Sequence, residues 1–248
     1  MECVNTCDYH GGTRRDYIYN GRLLIIVEPA VRRAEPCPWV WRAEFFDAFP
    51  AVDIALLQRG YAIVYYALSD MYGCPEAVKL MKQAHDFVTE RFSLRDKANI
   101  FGFSRGGLYA CNYALAYPED VQLLYLDAPV LDIRSWPLCL LPATAAKKAD
   151  FTVEAAQCAE LYGLTSEQEA LGFHASPIDS ADRLKKLPVL LIAGDADTTV
   201  PFCDNGALLA RVLEGGDFLL ILKPGCEHWP HSLQDPAPAV DFIEAHNL

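Results

Sequence analysis

One serine in this chain stands between glycines at a spacing that suits nucleophilic chemistry. Ser104 lies in Gly102-Phe103-Ser104-Arg105-Gly106, after an apolar run at residues 98–103 and before a helix-like run at residues 106–117. A tight strand-to-helix turn leaves almost no room for side chains two residues before and after its apex, and glycine meets that requirement. Such a turn exposes the hydroxyl as a nucleophile. The alternative interpretation is a structural turn with an incidental serine.

A serine nucleophile needs a base, and the base needs an acid that fixes its tautomer. The apolar residues 190–193 continue into an acidic loop that reads G-x-x-D-x-x-V-P and favours Asp197 as the acid. Asp195 is the near competitor, and we interpret it as a carboxylate that caps backbone N–H groups of the loop. Asp127, just past the preceding apolar run, is a third candidate.

The base is expected in the loop that follows the last strand, which the sequence predicts at residues 218–222. That loop contains two histidines. His228, three residues past Gly225, is the preferred base, and His231 is expected to line the pocket or to begin the final helix. Two histidines so close also suggest a metal site, but apart from Glu227 no third ligand stands nearby, so no metal is expected.

The elements that must position these residues alternate along the chain. Two strands are predicted at residues 13–20 and 22–27, joined at the favoured hairpin dipeptide Asn20-Gly21. Further strands are predicted at residues 61–68, 98–103, 121–126, 189–193 and 218–222, and helices at residues 40–49, 51–59, 75–91, 106–117, 201–214 and 236–245. This order predicts an α/β fold with a mostly parallel sheet and helices on both faces.

Residues 131–184 interrupt the alternation. They are rich in alanine, have helical patterns at residues 151–162 and 166–171, and lie between two predicted strands. We interpret them as a small helical cap inserted into a single domain of residues 1–248, and we find no internal repeat.

Charge and cysteine content restrict the partners and the compartment. The 248 residues carry a formal net charge of −12, which argues against nucleic acid or an anionic membrane as the main partner. Residues 1–8 lack the features of a secretory signal, and no apolar run is long enough to span a membrane. Nine cysteines without a C-x-x-C pair favour free thiols in a reducing cytoplasm. Whether a secretory signal was removed by processing stays an open question.

Four segments together resemble a known family. They are Pro38-Trp39-Val40-Trp41-Arg42, Ser104-Arg105-Gly106-Gly107, residues 194–201 and residues 225–233. With them the sequence resembles bacterial α/β-hydrolases of the serine esterase and prolyl-oligopeptidase-like superfamily over nearly its whole length. The resemblance implies the α/β-hydrolase fold, in which nucleophile, acid and histidine follow in that order. It also implies a triad of Ser104, Asp197 and His228.

The segment expected to form the oxyanion hole departs from the family pattern, and the residues of the pocket are less clearly defined. The usual H-G-G after the third strand is absent, and Glu28-Pro29-Ala30 stands there. We expect the backbone N–H of Arg105 as one oxyanion donor and that of Trp39 or Val40 as the other. The side chains expected to line the pocket, because they lie near the carboxyl ends of predicted strands, are Trp41, Arg42, Tyr72, Trp229 and His231. Packing is the alternative for each, and together they suit an oxygen-rich or anionic substrate.

The sequence therefore predicts a serine hydrolase that cleaves a small carboxylic ester, such as a carbohydrate or acyl ester, through an acyl-enzyme and without a cofactor. Two alternatives stay open. One is an exopeptidase or amidase on the same scaffold, and the other is a non-catalytic protein that keeps the fold to bind a ligand. Dehalogenases and epoxide hydrolases are disfavoured because they carry an aspartate in place of Ser104. The sequence does not indicate an oligomeric state.

Overall fold

The computed structural model describes residues 2–247 and is built around a nine-stranded sheet. The strands are β1 (Cys3–Tyr9), β2 (Gly12–Tyr19), β3 (Arg22–Glu28), β4 (Trp39–Arg42), β5 (Ala62–Tyr66), β6 (Ala98–Phe103), β7 (Val121–Asp127), β8 (Val189–Gly194) and β9 (Phe218–Lys223). Their order across the sheet is β1-β2-β3-β5-β4-β6-β7-β8-β9. The pairs from β1 to β5 are antiparallel, and all pairs from β5 to β9 are parallel.

Helices cover both faces of this sheet. They are α1 (Ala51–Gln58), α2 (Pro75–Phe92), α3 (Gly106–Ala116), α4 (Thr152–Leu161), α5 (Glu167–Leu171), α6 (Gly206–Leu213) and α7 (Ala237–Ala245). Buried side chains of α2, α3 and α6 form one core with the sheet, and those of α1 and α7 form a second core on its other face. The predicted α/β class with a mostly parallel sheet covered on both faces is confirmed.

The strand β6 shows why the central strands read as continuous apolar runs. Every residue of β6 is buried, and its neighbours Ile100 and Phe101 point into opposite cores. A parallel strand covered on both faces has no solvent side, so the alternation of polar and apolar residues disappears. Burying each such side chain contributes about 1.5–3 kcal/mol.

The helix predicted at residues 40–49 is wrong, because this region begins with the central strand β4. Trp39 and Trp41 point into one core and Val40 into the other, so the segment has the period of a strand. Its neighbours β5 and β6 pair with it in parallel on both sides. No strand was predicted at β1, a mostly exposed edge strand whose hairpin to β2 turns at His10 and Gly11, both with positive φ.

The segment between β7 and β8 divides into two parts. Its first part, with α4 and α5, packs residues such as Trp136 and Cys158 against Leu108 of α3 in a third apolar cluster. Its last part, the 3₁₀-helical Pro177–Lys186, instead places Ala181 and Leu184 in the main core. The first part therefore lies above the helix that follows Ser104.

All nine cysteines are free thiols in the part of the chain that the structure describes. Three are exposed, one is half-buried and five are buried; in that order they are Cys3, Cys7 and Cys203, then Cys226, then Cys37, Cys74, Cys111, Cys139 and Cys158. Burial raises the pKa of the Cys111 and Cys158 thiols to about 12. Within residues 2–247, no helix has the length and apolar character needed to cross a membrane.

Candidate active site

Ser104 stands at the turn between β6 and α3 and has a left-handed backbone, with φ of 50°. Its N–H donates to the carbonyl of Asp127 at 2.9 Å, and its carbonyl accepts from Val130 N–H at 2.8 Å. A non-glycine residue with positive φ is strained, and these bonds to the end of β7 hold the turn in place. The turn therefore has the form that the sequence analysis predicted.

The glycines around Ser104 are required by contact distances. A Cβ at Gly102 would lie 2.8 Å from the Cβ of Ala110 and 2.9 Å from the carbonyl oxygen of Gly106. A Cβ at Gly106 would lie 3.0 Å from the Cβ of Glu44, in the loop after β4. The small residues thus let α3 approach both its own strand and that loop.

The three residues predicted as the triad meet in space. The Ser104 Oγ lies 2.9 Å from Nε2 of His228, and Nδ1 of His228 lies 2.6 Å from Oδ2 of Asp197. An ionised carboxylate only accepts hydrogen bonds, so Nδ1 carries the proton and Nε2 is free to accept from the serine hydroxyl. His228 and Asp197 are both buried. The arrangement can remove a proton from Ser104.

The acidic loop after β8 separates the roles of its two aspartates. The Oδ1 of Asp197 accepts from the N–H groups of Thr199 at 2.9 Å and Val200 at 2.8 Å, which leaves Oδ2 facing His228. Asp195 instead accepts from the N–H of Gly225 at 2.6 Å and ties the two loops together. The structure thus places Asp195 in the loop-shaping position expected for it.

The two remaining candidates pair with each other. Nδ1 of His231 lies 2.8 Å from Oδ1 of Asp127, whose other oxygen accepts from the N–H of Ser232 at 2.6 Å. The His231 ring is 4.8 Å from the His228 ring, at 81° to it. Its Nε2 is buried without a hydrogen-bond partner among the described residues. Asp127 therefore serves His231 and leaves Asp197 as the carboxylate on His228.

The end of β8 sets the position of the histidine loop, and Gly194→Ala should disturb it. A Cβ at Gly194 would lie 2.2 Å from the carbonyl oxygen of Cys226 and 2.7 Å from that of Glu227. Because this loop carries His228, we expect the variant to lose about 1–3 kcal/mol of unfolding free energy and part of its kcat. Denaturant unfolding and ester kinetics measure both. Gly172→Ala, where the nearest contact is 3.4 Å, is the matched control, and equal losses in the two variants would contradict this account.

Comparison with known proteins identifies the fold that carries this geometry. A family model described as the alpha/beta hydrolase fold matches residues 76–186. An S-formylglutathione hydrolase from Agrobacterium tumefaciens is 16% identical, with 100% of this chain and 97% of that chain covered and a TM-score of 0.65. A cold-adapted esterase from an Arctic intertidal metagenomic library is 14% identical, with 99% of both chains covered and a TM-score of 0.61.

A puromycin-hydrolysing peptidase from Mycobacterium tuberculosis is 18% identical and has a TM-score of 0.68, with 94% of this chain and 38% of that chain covered. No curated protein matches the sequence. The chain has the α/β-hydrolase fold. At these identities the likeness to the solved structures shows the fold alone.

Strand β4 corrects four site predictions. Trp39 and Val40 lie in the middle of the sheet, so their N–H groups were wrongly predicted as oxyanion donors. Trp41 is buried against Tyr113 and was wrongly assigned to the pocket. Arg42 is buried too, and its guanidinium donates to the carbonyls of Phe45 and Ala48 at 2.9 Å and approaches Asp53. These residues build the sheet and the loop after it.

The loop that follows β4 lies beside the turn at Ser104. Arg105 donates its Nε to Glu44 of that loop at 2.9 Å, and a Cβ at Gly106 would lie 3.0 Å from the Cβ of Glu44, whereas Glu28-Pro29-Ala30 comes at the end of β3. Phe45 has a φ of 54° in that loop. Its N–H makes one contact among residues 2–247, at 3.3 Å with the side chain of Glu44. The backbone N–H of Arg105 has no hydrogen-bond acceptor among the described residues.

The three other predicted pocket residues lie close to the site in different settings. Tyr72 is buried, which raises the pKa of its phenol, and its OH donates to Gln157 of α4. Trp229 is exposed and stacks on Phe49 at 5.9 Å. His231 is engaged by Asp127, as described above. Tyr72 and Trp229 thus border the site from opposite loops.

One group of side chains in the described residues has ligand atoms close enough for a metal ion. It consists of His85 and Asp86 on α2 and Asp120, which directly precedes β7. The Nζ of Lys82 lies 2.7 Å from Asp86 and 2.9 Å from Asp120. An ammonium group therefore already neutralises both carboxylates.

Proposed function

We propose that this protein is an α/β-hydrolase and a serine hydrolase that cleaves a small carboxylic ester through a covalent acyl-enzyme. The observation that carries the proposal is the hydrogen-bonded chain from Ser104 Oγ through His228 to Asp197, at 2.9 Å and 2.6 Å. These distances are those of a nucleophile, a base and an orienting acid. The nine cysteines support a reducing, cytoplasmic location as part of the proposal.

The reaction would proceed in two halves. Ser104 Oγ attacks the ester carbonyl while His228 Nε2 takes its proton, and His228 then returns that proton to the leaving alcohol. Water attacks the acyl-enzyme, with His228 again as the base, and releases the carboxylic acid. Asp197 keeps the proton on Nδ1 throughout and stabilises the imidazolium. No cofactor takes part in this scheme.

The oxyanion would be held by two backbone N–H groups. The N–H of Arg105 precedes α3, whose N-terminus favours negative charge. We assign the second donor to Phe45, since the loop after β4 packs against the start of α3 through Glu44 and Gly106. Removing one such donor from an oxyanion hole costs about 10²–10³ in kcat.

An amidase or peptidase is the second candidate, because a puromycin-hydrolysing peptidase shares the fold. An aminopeptidase needs a group that recognises the free terminus of its substrate. A panel of acyl esters and aminoacyl arylamides at equal concentration separates the two candidates, and we expect the esters to be turned over faster.

Covalent labelling tests the proposal directly. A fluorophosphonate should add stoichiometrically to the native protein, and peptide mass mapping should place the adduct on Ser104, because only a serine with a positioned base reacts readily. Heat-unfolded protein is the control and should not react. Native protein that stays unlabelled, or that is labelled on another serine, would favour the non-catalytic binding alternative.

A further inference from the structure

The side chain of Arg105 is not used by the proposed reaction, which draws only on its backbone N–H. Its guanidinium has five N–H groups. The Nε donates to Glu44 at 2.9 Å, and the two Nη groups have no hydrogen-bond acceptor among residues 2–247. Next to the nucleophile, four N–H donors are therefore free to bind a ligand.

A buried carboxylate fixes this guanidinium. The Glu44 side chain is 1% exposed, and its other oxygen accepts from Oγ of Ser69 at 2.5 Å. A buried carboxylate is costly unless it is paired and hydrogen-bonded, so Glu44 holds the Nε edge of Arg105 firmly. The Arg105 side chain is 24% exposed, and the opposite, Nη edge is the part left for a ligand.

Two aromatic rings flank the same guanidinium. Its Cζ lies 5.0 Å from the ring centre of Phe45 and 5.9 Å from that of Tyr72. Phe45 belongs to the proposed oxyanion loop, and Tyr72 belongs to the loop after β5. Aromatic walls limit access of water, and hydrogen bonds to a charged group strengthen where water is excluded.

The geometry points to a carboxylate as the ligand of this edge. A guanidinium presents parallel N–H groups that match the two oxygens of a carboxylate, and such pairs are short and strong. We propose that Arg105 binds a carboxylate of the substrate, so the enzyme prefers esters that carry a carboxylate close to the scissile bond. The preference for a substrate rests on the proposed function, whereas carboxylate binding itself does not.

Matched substrates test the preference. Monoethyl succinate carries its carboxylate on the acyl side and acetoxyacetate on the alcohol side, and ethyl pentanoate and ethyl acetate are their neutral counterparts. We expect kcat/KM to be at least about tenfold higher for one carboxylate ester than for its counterpart, because hydrogen bonds to charged groups discriminate by at least that factor. Monobutyrin, neutral and rich in oxygen, should not share the advantage.

Variants assign the preference to the side chain. Arg105→Met alone would leave Glu44 buried and unpaired, so it is combined with Glu44→Gln, and Glu44→Gln alone is measured beside it. The double variant should lose the carboxylate preference, and Arg105→Lys should keep part of it. Arg211→Met, at an exposed position of α6, removes the same charge and should keep all of it. Equal kcat/KM for both ester types in the wild type, or a preference that survives in the double variant, would overturn the inference.

Binding measured without turnover separates this inference from the proposed function. Calorimetry with monoethyl succinate and the Ser104→Ala variant should show binding that disappears when Arg105→Met and Glu44→Gln are added. If no ester is hydrolysed and no fluorophosphonate adduct forms but this binding is seen, the proposed function fails and the carboxylate site stands. If esters are hydrolysed but no carboxylate binds, the proposed function stands and the carboxylate site fails.

Discussion

Replacing His228 with alanine should lower kcat for ester hydrolysis about 10⁶-fold, and Ser104→Ala should lower it by about the same factor. The double variant should be no worse than either single variant. The reason is that the 2.9 Å contact makes serine and histidine one unit: without the base the hydroxyl is not activated, and without the hydroxyl the base has no proton to take. Stopped assays at high enzyme concentration measure the residual rates.

His231→Ala is the matched control for this result. It removes a histidine from the same loop whose ring lies 4.8 Å from that of His228. We expect it to lower stability, since the carboxylate of Asp127 loses one of its two hydrogen-bond partners, and to lower kcat far less than His228→Ala does. Melting curves of each variant separate the two effects. A larger loss of kcat in His231→Ala, or full activity in Ser104→Ala, would refute the proposed triad.

Asp197→Asn should reduce kcat about 10⁴-fold while the fold is kept. The N–H groups of Thr199 and Val200 would hold the amide oxygen where Oδ1 now lies, so the amide NH₂ would face His228. Nδ1 would then have to accept a hydrogen bond, and the imidazole proton would move to Nε2, where it blocks the base. The loss should therefore appear in kcat, with the free energy of unfolding changed little.

Asp127→Asn is the same chemical change at the neighbouring pair and should have a different result. Its oxygen would stay with the N–H of Ser232, and its NH₂ would face Nδ1 of His231. Since we assign the base to His228 and not to His231, we expect a loss of about 1–3 kcal/mol in unfolding free energy and a much smaller loss of kcat. If Asp127→Asn were the more damaging variant for kcat, the acid would be Asp127.

The sequence predicted the serine turn, the order of the site residues and most helices and strands. The turn at Ser104 could be predicted because its requirements are local. The close approach of the chain at Gly102 and Gly106 requires small residues, and these are visible in the sequence. The central strands are recorded as well, because strands covered on both faces, such as β6 and β8, are continuous apolar runs.

Strand β4 was not predicted because four residues are too few to distinguish the hydrophobic period of a strand from that of a helix. Trp39-Val40-Trp41-Arg42 fits the start of a helix as well as a strand, and only its pairing with β5 and β6 decides. That one error shifted the strand count, so Glu28-Pro29-Ala30 was compared with the H-G-G segment. The second oxyanion donor was then predicted at Trp39 or Val40 and not at Phe45, where we propose it. Arg42 was wrongly predicted as a pocket residue for a related reason. Its hydrogen bonds to carbonyl groups and its contact with Asp53 form only in the folded loop, which the sequence does not show.

Which histidine pairs with which aspartate could not be predicted from the sequence, for another reason. His228 and His231 lie in one loop, and Asp127 and Asp197 follow strands that are neighbours in the sheet. Each histidine was a candidate and each aspartate was a candidate, but which pairs with which depends on side-chain directions within the loop. The second pair, with its unpartnered Nε2, is therefore a finding of the structure alone.

Because the cysteines differ in burial, their rates of alkylation report separately on local and on global unfolding of the protein. Cys111 lies on α3, seven residues after Ser104. It is fully buried, and burial raises its pKa to about 12, so it cannot be alkylated while the helix is docked. Cys3 and Cys203 face solvent in the native state, and Cys226 is half-buried in the histidine loop. Alkylation at Cys226 thus follows local movement beside the site, whereas alkylation at Cys111 follows only the rare molecules in which the whole core has opened.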